Sequence, residues 1–469
     1  MPERWWRSPV ALALLAFAIL RLAALSRYPA WTDETWTMAG GNADFRRFLR
    51  WHADDQTHPP FYYLVLWFWR SLAPESLSWA RLLSALAGIA TAVPLVALCR
   101  AAGLTSRATA LAVLMGAGSG FLVAYAVEIR NYAFLALFAT ASLALWLRER
   151  DSHAPNLRAL TFVNVLLVQS HYFGLFIVFA EWLDAVLWAR RRGRAMTGSA
   201  AFALATLIPW VAYTFRRAGI TGRSLEVVDW IPQPIPGDAL DVVRDTLGGV
   251  PWIGADLMLA VALSGMIAAW VVRSRAGSGA GAARLLALAV LAPIVVALAV
   301  SLLSPRSVWV TRYFIAAAPP LIVLAAASID WAVPGRLGAV AIGIALLPTA
   351  WTSWSLARGT AKPRYDLAVA AVPATRDVTL YTPPTVDVRP LEWAARGTGV
   401  TVRVLGDSLP GIAERGWLVW NDRRPAMSFS PPAALIRRGF TLGTSVSIAS
   451  DEDRLVVVPF WPRSGPTSP

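Results

Sequence analysis

The chain has 469 residues, of which 56% are hydrophobic and only 15% are charged. Soluble globular proteins carry about 25% charged residues, so this composition excludes a disordered or collagen-like chain and indicates an integral membrane protein. The net charge of +14 comes almost wholly from arginine, since Lys362 is the single lysine. The single cysteine, Cys99, excludes an intrachain disulfide and a cysteine-based metal site.

Long apolar runs recur along the first three quarters of the chain and predict a polytopic all-α membrane bundle of eleven spans. The predicted spans are residues 9–26, 81–99, 108–126, 131–147, 157–170, 173–189, 197–215, 252–272, 284–303, 313–330 and 336–354. The arginines between spans all fall on one side if the N-terminus is cytoplasmic, which predicts that orientation. We therefore interpret the positive charge as a topology signal and expect membrane lipids, not nucleic acid, as partners.

Four other segments lie outside the spans on the non-cytoplasmic side. Residues 59–73 are aromatic and apolar but too short to span, so we predict an interfacial helix there. Two long outer loops are predicted at 27–58 and 216–251. Residues 356–469 alternate strand-like pieces with helix-like pieces, which predicts a small α/β domain. The predicted domains are thus residues 1–355, the membrane bundle, and residues 356–469, an extracytoplasmic α/β domain.

Two adjacent carboxylates, Asp33 and Glu34, follow the first span by only a few residues. A carboxylate at this depth can act as a general base on an acceptor hydroxyl or can bind a metal. In an extended backbone the two side chains point to opposite sides, so only one would face a site. The alternative is a solvated pair, or a helix cap formed by Thr32 or Asp33.

Polar and aromatic residues also lie at the next outer junctions. His58 precedes two prolines and the aromatic residues that include Tyr62. Glu128, Arg130 and Tyr132 lie between the third and fourth spans. They form either an ion pair at a turn, or an acid for a metal or sugar with an arginine for phosphate.

The last candidates are His171 and Tyr172, before the sixth span, and Arg312 and Tyr313, which open the tenth. Histidine and tyrosine at this depth are otherwise interface anchors, and an outer arginine otherwise snorkels to headgroups. All these candidates lie at five separate junctions on one membrane face. Acids and cations together at this boundary suit a site that handles a lipid phosphate and a hydroxyl acceptor.

Glu181 and Asp184 do not fit this picture, because they lie three residues apart within the sixth span. Acids inside a membrane usually mark function, although they also pair within a bundle. A second interpretation is therefore a flippase or transporter of lipid-linked sugars, with these two acids in its pathway.

Together the outer motifs resemble the GT-C glycosyltransferases of the PMT_2 type, glycosyltransferase family 39, among them the aminoarabinose transferases. The shared order is an Arg late in the first span, an Asp-Glu pair, a His-Pro-Pro or Lys-Pro-Pro with aromatics, and an Arg that opens the next span. In this chain the motifs are Arg21, Asp33-Glu34, His58-Pro59-Pro60, Arg81, Glu128-Ile129-Arg130, His171-Tyr172-Phe173 and Arg312-Tyr313. The resemblance covers roughly residues 5–330, and aminoarabinose transferases have Lys where this chain has His58.

The resemblance implies an inverting glycosyltransferase of a bacterial cytoplasmic membrane. It would move a hexosyl or pentosyl group from a polyprenyl-phosphate donor to a lipid, glycan or protein hydroxyl at the outer face. Asp33 would be the base, with support from Glu34. The implied substrate-binding residues are His58, Tyr62, Glu128, Arg130, Tyr132, His171, Tyr172, Arg312 and Tyr313.

The sequence leaves open a bound metal ion and a non-catalytic role. A divalent cation, Mg²⁺ or Mn²⁺, is not decided by the sequence; Asp33 and Glu128 are its candidate ligands. A third interpretation is a non-catalytic component of a glycan assembly complex, which predicts that glycan production survives loss of the Asp33 carboxylate.

Overall fold

The computed structural model describes residues 9–26, 29–41, 44–73, 75–222, 231–235, 237–247, 280–332, 362–373, 378–383, 386, 388–405, 415–421, 435–450 and 454–463. The predicted spans 252–272 and 336–354 lie outside the described residues. The described helices are α1 Pro9–Ala24, α2 Thr32–Gly41, α3 Phe45–Asp55, α4 Phe61–Arg70, α5 Leu77–Ala90, α6 Ala92–Ala101, α7 Ser106–Gly118, α8 Gly120–Ala126, α9 Tyr132–Arg150, α10 Arg158–Ser170, α11 Gly174–Leu187, α12 Gly193–Ala205, α13 Ile208–Thr221, α14 Asp238–Thr246, α15 Ala280–Leu303, α16 Ala318–Ala332, α17 Tyr365–Ala370 and α18 Val388–Ala395.

The chain divides into two compact units. The first contains residues 1–25 and 40–354, and the second contains residues 26–39 and 355–469. The N-terminal part of α2, which carries Asp33 and Glu34, therefore belongs to the second unit.

The first unit is a bundle of apolar helices. Within the described ranges, five helical segments are long and apolar enough to cross a membrane: Leu77–Ala101, Tyr132–Arg150, Arg190–Thr221, Gly281–Leu303 and Thr311–Asp330. Helices α7 and α8 form a sixth if counted as one span bent by 57°. These helices, with the sheet described below, confirm the predicted fold class.

The bend between α7 and α8 has a local cause in Ser119, which lies between two glycines. Its hydroxyl caps α8 by accepting the Leu122 N–H at 3.3 Å, and it donates to the Thr246 carbonyl oxygen at 2.8 Å. A capped break of this kind satisfies backbone groups that a bend would otherwise leave without partners. Helix α8 then leads directly into the turn that carries Glu128 and Arg130.

The predicted outer loop 27–58 is largely helical. Helix α3 begins after Asp44, whose side chain accepts the Arg47 N–H at 3.0 Å, and it buries Phe48 and His52 on one face. Helix α4 has only 10 residues, too few to span, in agreement with the predicted interfacial helix.

Two arginines of the motif series are buried and bonded to backbone, so they do not snorkel to a lipid surface. Arg21 donates to the carbonyl oxygens of Phe17 at 3.0 Å and Gly116 at 3.1 Å. Arg81 donates to the Leu25 carbonyl oxygen at 3.1 Å. Both side chains therefore tie α1 to its neighbouring helices, which is a structural role.

Glu181 closes a three-membered polar ring inside the bundle. Its carboxyl oxygens contact the Ser142 hydroxyl at 2.5 Å and the Asn164 amide at 3.0 Å, and Ser142 also contacts Asn164. Three contacts need three hydrogens, yet the serine supplies one and the amide supplies one in either of its orientations. The third hydrogen belongs to the Glu181 carboxyl, which the ring therefore holds as a neutral acid.

This ring makes a stability prediction. Glu181→Gln should leave the thermal unfolding midpoint nearly unchanged, because a glutamine amide supplies the same donor and acceptor. Glu181→Ala should lower the midpoint clearly, since each buried polar partner left without a hydrogen bond costs about 1–3 kcal/mol. Unfolding of the purified variants in detergent measures both, and equal losses for the two would contradict the neutral ring.

The second unit contains a six-stranded mixed sheet. The strands are β1 Val378–Thr382, β2 Val400–Val404, β3 Gly416–Asn421, β4 Phe440–Leu442, β5 Val446–Ala449 and β6 Arg454–Pro462. Their order is β2-β1-β3-β6-β4, with β5 also paired to β6. Strands β1, β2 and β3 are parallel and α18 forms the β1-to-β2 crossover, whereas β6 pairs antiparallel with its three neighbours.

Candidate functional site

The His58 ring is fixed by the residues just before it. Its Nδ1 lies 3.1 Å from Asp55 Oδ2 and 2.6 Å from the Thr57 hydroxyl, which itself donates to Asp55 at 2.7 Å. The backbone is held as well, because the indole N–H of Trp210 donates to the His58 carbonyl oxygen at 3.2 Å. A carboxylate only accepts hydrogen bonds, so the Asp55 contact places a hydrogen on Nδ1. Nε2 then carries a hydrogen of its own only when the ring is protonated.

His171 has the opposite arrangement. Its Nδ1 accepts the Phe173 N–H at 3.0 Å, so the hydrogen of the neutral ring lies on Nε2. Burial, and then positive charge at His58, Arg130 and Arg312, holds the pKa of His171 well below its usual value. The ring is therefore neutral at pH 7, and its buried Nε2–H donor has no hydrogen-bond partner among the described residues.

The His58 and His171 rings pack together with three tyrosine rings. The centroid of His171 lies 5.3 Å from that of His58, 4.8 Å from Tyr313 and 6.0 Å from Tyr132. The Tyr63 centroid lies 5.9 Å from that of His58. We call these five residues the junction cluster, because they come from four separate helix junctions.

Two arginines flank the junction cluster. Arg312 donates from Nε to the Tyr132 hydroxyl at 2.8 Å, and its guanidinium lies 5.9 Å from the Tyr313 ring. The Arg130 guanidinium, which is buried, lies 6.0 Å from the Tyr132 ring. Guanidinium groups bind phosphate and carboxylate anions through their charge and paired N–H donors, so two of them beside the cluster suit an anion.

Hydrogen bonds from side chains join the junctions to one another. The Tyr62 hydroxyl lies 2.9 Å from the Ser84 hydroxyl, which donates to the Arg130 carbonyl oxygen at 3.3 Å. The Asn131 amide donates to the Ser170 carbonyl oxygen at 2.6 Å. The turn that carries Arg130 is therefore bonded both to α5 and to the residue that precedes His171.

Most of the residues predicted at outer junctions thus meet in the first unit. His58, Tyr132, His171 and Tyr313 form the junction cluster with Tyr63, and Arg130 and Arg312 flank it. Tyr62 supports the Arg130 turn, as described above. Tyr172 is half-buried next to His171, and burial raises its pKa to about 12.

Sequence reasoning missed Tyr63, Asp55 and His52. Burial raises the pKa of Tyr63 well above its usual value, so its phenol stays protonated, and its buried hydroxyl has no hydrogen-bond partner among the described residues. Burial also lowers the pKa of His52 to about 4, and the neutral His52 ring lies 3.3 Å from the Pro59 carbonyl oxygen. Asp55 follows Asp54 on an amphipathic helix, where an acid normally indicates only a solvated face.

The acidic candidates are placed as follows. Asp33 and Glu34 lie in the first turn of α2, so the extended backbone considered for them is wrong; Asp33 is half-buried and Glu34 is 0% exposed. Glu128 is buried in the turn before α9. Within the described ranges no group of three or more His, Cys, Asp or Glu residues could hold a metal ion. The cation at Asp33 and Glu128 stays a prediction.

Glu181 and Asp184, the two acids of the sixth predicted span, have partners within the bundle. Glu181 belongs to the ring with Ser142 and Asn164. Asp184 Oδ2 accepts the Trp146 indole N–H at 3.0 Å and the Arg150 Nε–H at 2.7 Å. Both acids thus connect neighbouring helices.

The chain has the same fold as solved structures of ArnT. It is similar to ArnT from Cupriavidus metallidurans bound to undecaprenyl phosphate, with a TM-score of 0.60 and 14% identity over 98% of each chain. The apo state of the same ArnT gives a TM-score of 0.56 and 14% identity over 97% of each chain. No protein-family model and no curated protein sequence matches the chain.

The Archaeoglobus fulgidus oligosaccharyltransferase, in complex with Zn and sulfate, is also similar. Its TM-score is 0.48 and its identity 14%, over 84% of this chain and 62% of its own. The likeness to ArnT, at an identity this low, is a likeness of fold. The long apolar helices of the first unit make this chain a multi-pass membrane protein.

Proposed function

We propose that this protein is an inverting glycosyltransferase that takes its sugar from a polyprenyl-phosphate carrier. The observation that carries the proposal is the junction cluster with its flanking arginines. Two guanidinium groups, a buried Nε2–H and a buried phenol form a set of donors suited to a phosphate. The ArnT structure of similar fold was solved with undecaprenyl phosphate, which is a lipid of this class.

In the proposed reaction an acceptor hydroxyl oxygen attacks the anomeric carbon of the donor sugar. The bond from that carbon to the phosphate oxygen breaks, and the electron pair leaves on the polyprenyl phosphate. The hydroxyl proton passes to Asp33, the base implied by the resemblance, and Glu34 supports it. One displacement inverts the anomeric centre, and the acceptor is a lipid, glycan or protein hydroxyl.

The cluster residues would stabilise the negative charge that develops on the leaving phosphate. Arg130, Arg312 and His58, the last as an imidazolium that donates from Nε2, would meet the phosphate oxygens, while His171 and Tyr63 donate neutral hydrogen bonds. Donors that are held in place before the reaction stabilise such charge more than mobile water does. We place the reaction at the outer face of a bacterial cytoplasmic membrane, with the N-terminus cytoplasmic and the second unit outside.

The test uses purified protein in lipid vesicles with a panel of labelled polyprenyl-phosphate hexoses and pentoses. We expect one donor to lose its sugar to an added acceptor fraction or to water, with polyprenyl phosphate as the second product. Movement of an intact donor between leaflets, without release of sugar from any donor, would contradict the proposal and indicate the flippase.

A further inference from the structure

We propose that Lys362 is a positioning residue for the Asp33 helix, acting through Trp31. The Lys362 ammonium lies 3.9 Å from the centroid of the Trp31 ring. Both residues belong to the second unit, and Trp31 precedes Asp33 by two positions. This inference rests on the proposed function, because it assigns a role next to the proposed base.

Trp31 connects the Lys362 ammonium to the start of α2. Its carbonyl oxygen accepts the Thr35 N–H at 2.9 Å and the Thr35 hydroxyl at 3.1 Å, so it forms the first hydrogen bonds of α2. The Thr37 hydroxyl likewise donates to the Asp33 carbonyl oxygen at 2.8 Å. A side chain that fixes the Trp31 ring therefore fixes the start of the helix that presents Asp33.

Among aromatic side chains, tryptophan attracts a cation at the face of its ring most strongly. The attraction of an ammonium this close to an indole grows as water is excluded from the site. Lys362 is also the single lysine among 43 basic residues, in a chain that uses arginine everywhere else. Residues 355–469 thereby contribute to the reaction by holding residues 26–39, the segment that carries Asp33.

The test compares Lys362→Met, which removes the charge, with Lys362→Arg, which keeps a cation for the ring. The matched control is Arg364→Gln, which removes a cation two positions away that pairs with Asp366 at 2.8 Å. We expect kcat for sugar transfer to fall about tenfold in Lys362→Met, at unchanged KM for the donor, and to recover in Lys362→Arg. Equal kcat in Lys362→Met and Arg364→Gln would overturn the proposal.

A second readout does not depend on the proposed function. Because the chain has one lysine, an amine-selective label reports on Lys362 and the N-terminal amine alone. We expect Trp31→Ala to speed labelling of Lys362 severalfold, and Trp31→Phe to have a much smaller effect. An unchanged labelling rate in Trp31→Ala would refute the contact, whereas absence of sugar transfer by wild type would refute only the proposed function.

Discussion

Replacing Asp33 with asparagine should lower kcat for sugar transfer by about 10²–10⁴-fold, the usual contribution of a general base. Asparagine keeps the size of the side chain but cannot accept the hydroxyl proton. Binding of polyprenyl phosphate should persist, because its proposed ligands lie elsewhere in the chain. The measurement is steady-state transfer of labelled sugar together with binding of the carrier lipid.

Glu34→Gln is the matched control for this substitution. Glu34 is fully buried while Asp33 is partly exposed, so Glu34 is the less accessible partner for an acceptor hydroxyl. We expect a smaller loss of kcat in Glu34→Gln than in Asp33→Asn. Wild-type kcat in Asp33→Asn would show that another group is the base.

The second large effect concerns His58 and its support by Asp55. His58→Gln should lower kcat by about 10- to 100-fold, in line with loss of a hydrogen bond to a charged group. His58→Lys should retain much of the activity, because an ammonium also binds phosphate. Asp55→Asn should lower kcat in the wild-type background, since a neutral amide no longer stabilises the positive charge of the His58 imidazolium.

The decisive comparison is Asp55→Asn in the His58→Lys background. A lysine ammonium is charged at pH 7 without a neighbouring carboxylate, so Asp55→Asn should cost several-fold less there than in the wild type. The coupling energy of this double-mutant cycle separates a role through His58 from a general effect on folding. Equal losses in both backgrounds would show that Asp55 does not act through His58.

Much of the fold could be predicted from the sequence because long apolar runs and the positions of arginines reflect the bilayer directly. The interfacial helix at Phe61–Arg70 and the strands at Val378–Thr382 and Val400–Val404 were predictable from length and from alternation. The helices α2 and α3 were not, because their polar sequences lack the apolar period that indicates a membrane helix. Strands β4 and β5 have only three and four residues, too few to give a pattern.

The candidate site was predictable where it depends on residue type at a span end, and not where it depends on tertiary contact. His171 and Arg312 stand out because a polar residue at an outer junction indicates either a functional site or an interface anchor. Tyr63 resembles its aromatic neighbours in sequence, and only packing against His58 distinguishes it. The partners of Glu181 lie on two other helices, so its neutral ring could not be read from the spacing of Glu181 and Asp184.

The proposed function depends most on whether the flanking arginines hold a lipid phosphate. The measurement is binding of labelled polyprenyl phosphate, with uncharged polyprenol as competitor, to wild type and to Arg312→Gln. Arg306→Gln is the matched control, since it removes an arginine six positions earlier in the same outer segment. We predict tight binding by wild type that polyprenol cannot displace, at least tenfold weaker binding by Arg312→Gln, and little change in Arg306→Gln. Equal affinity of wild type and Arg312→Gln, or displacement by polyprenol as effective as by polyprenyl phosphate, would contradict the phosphate site.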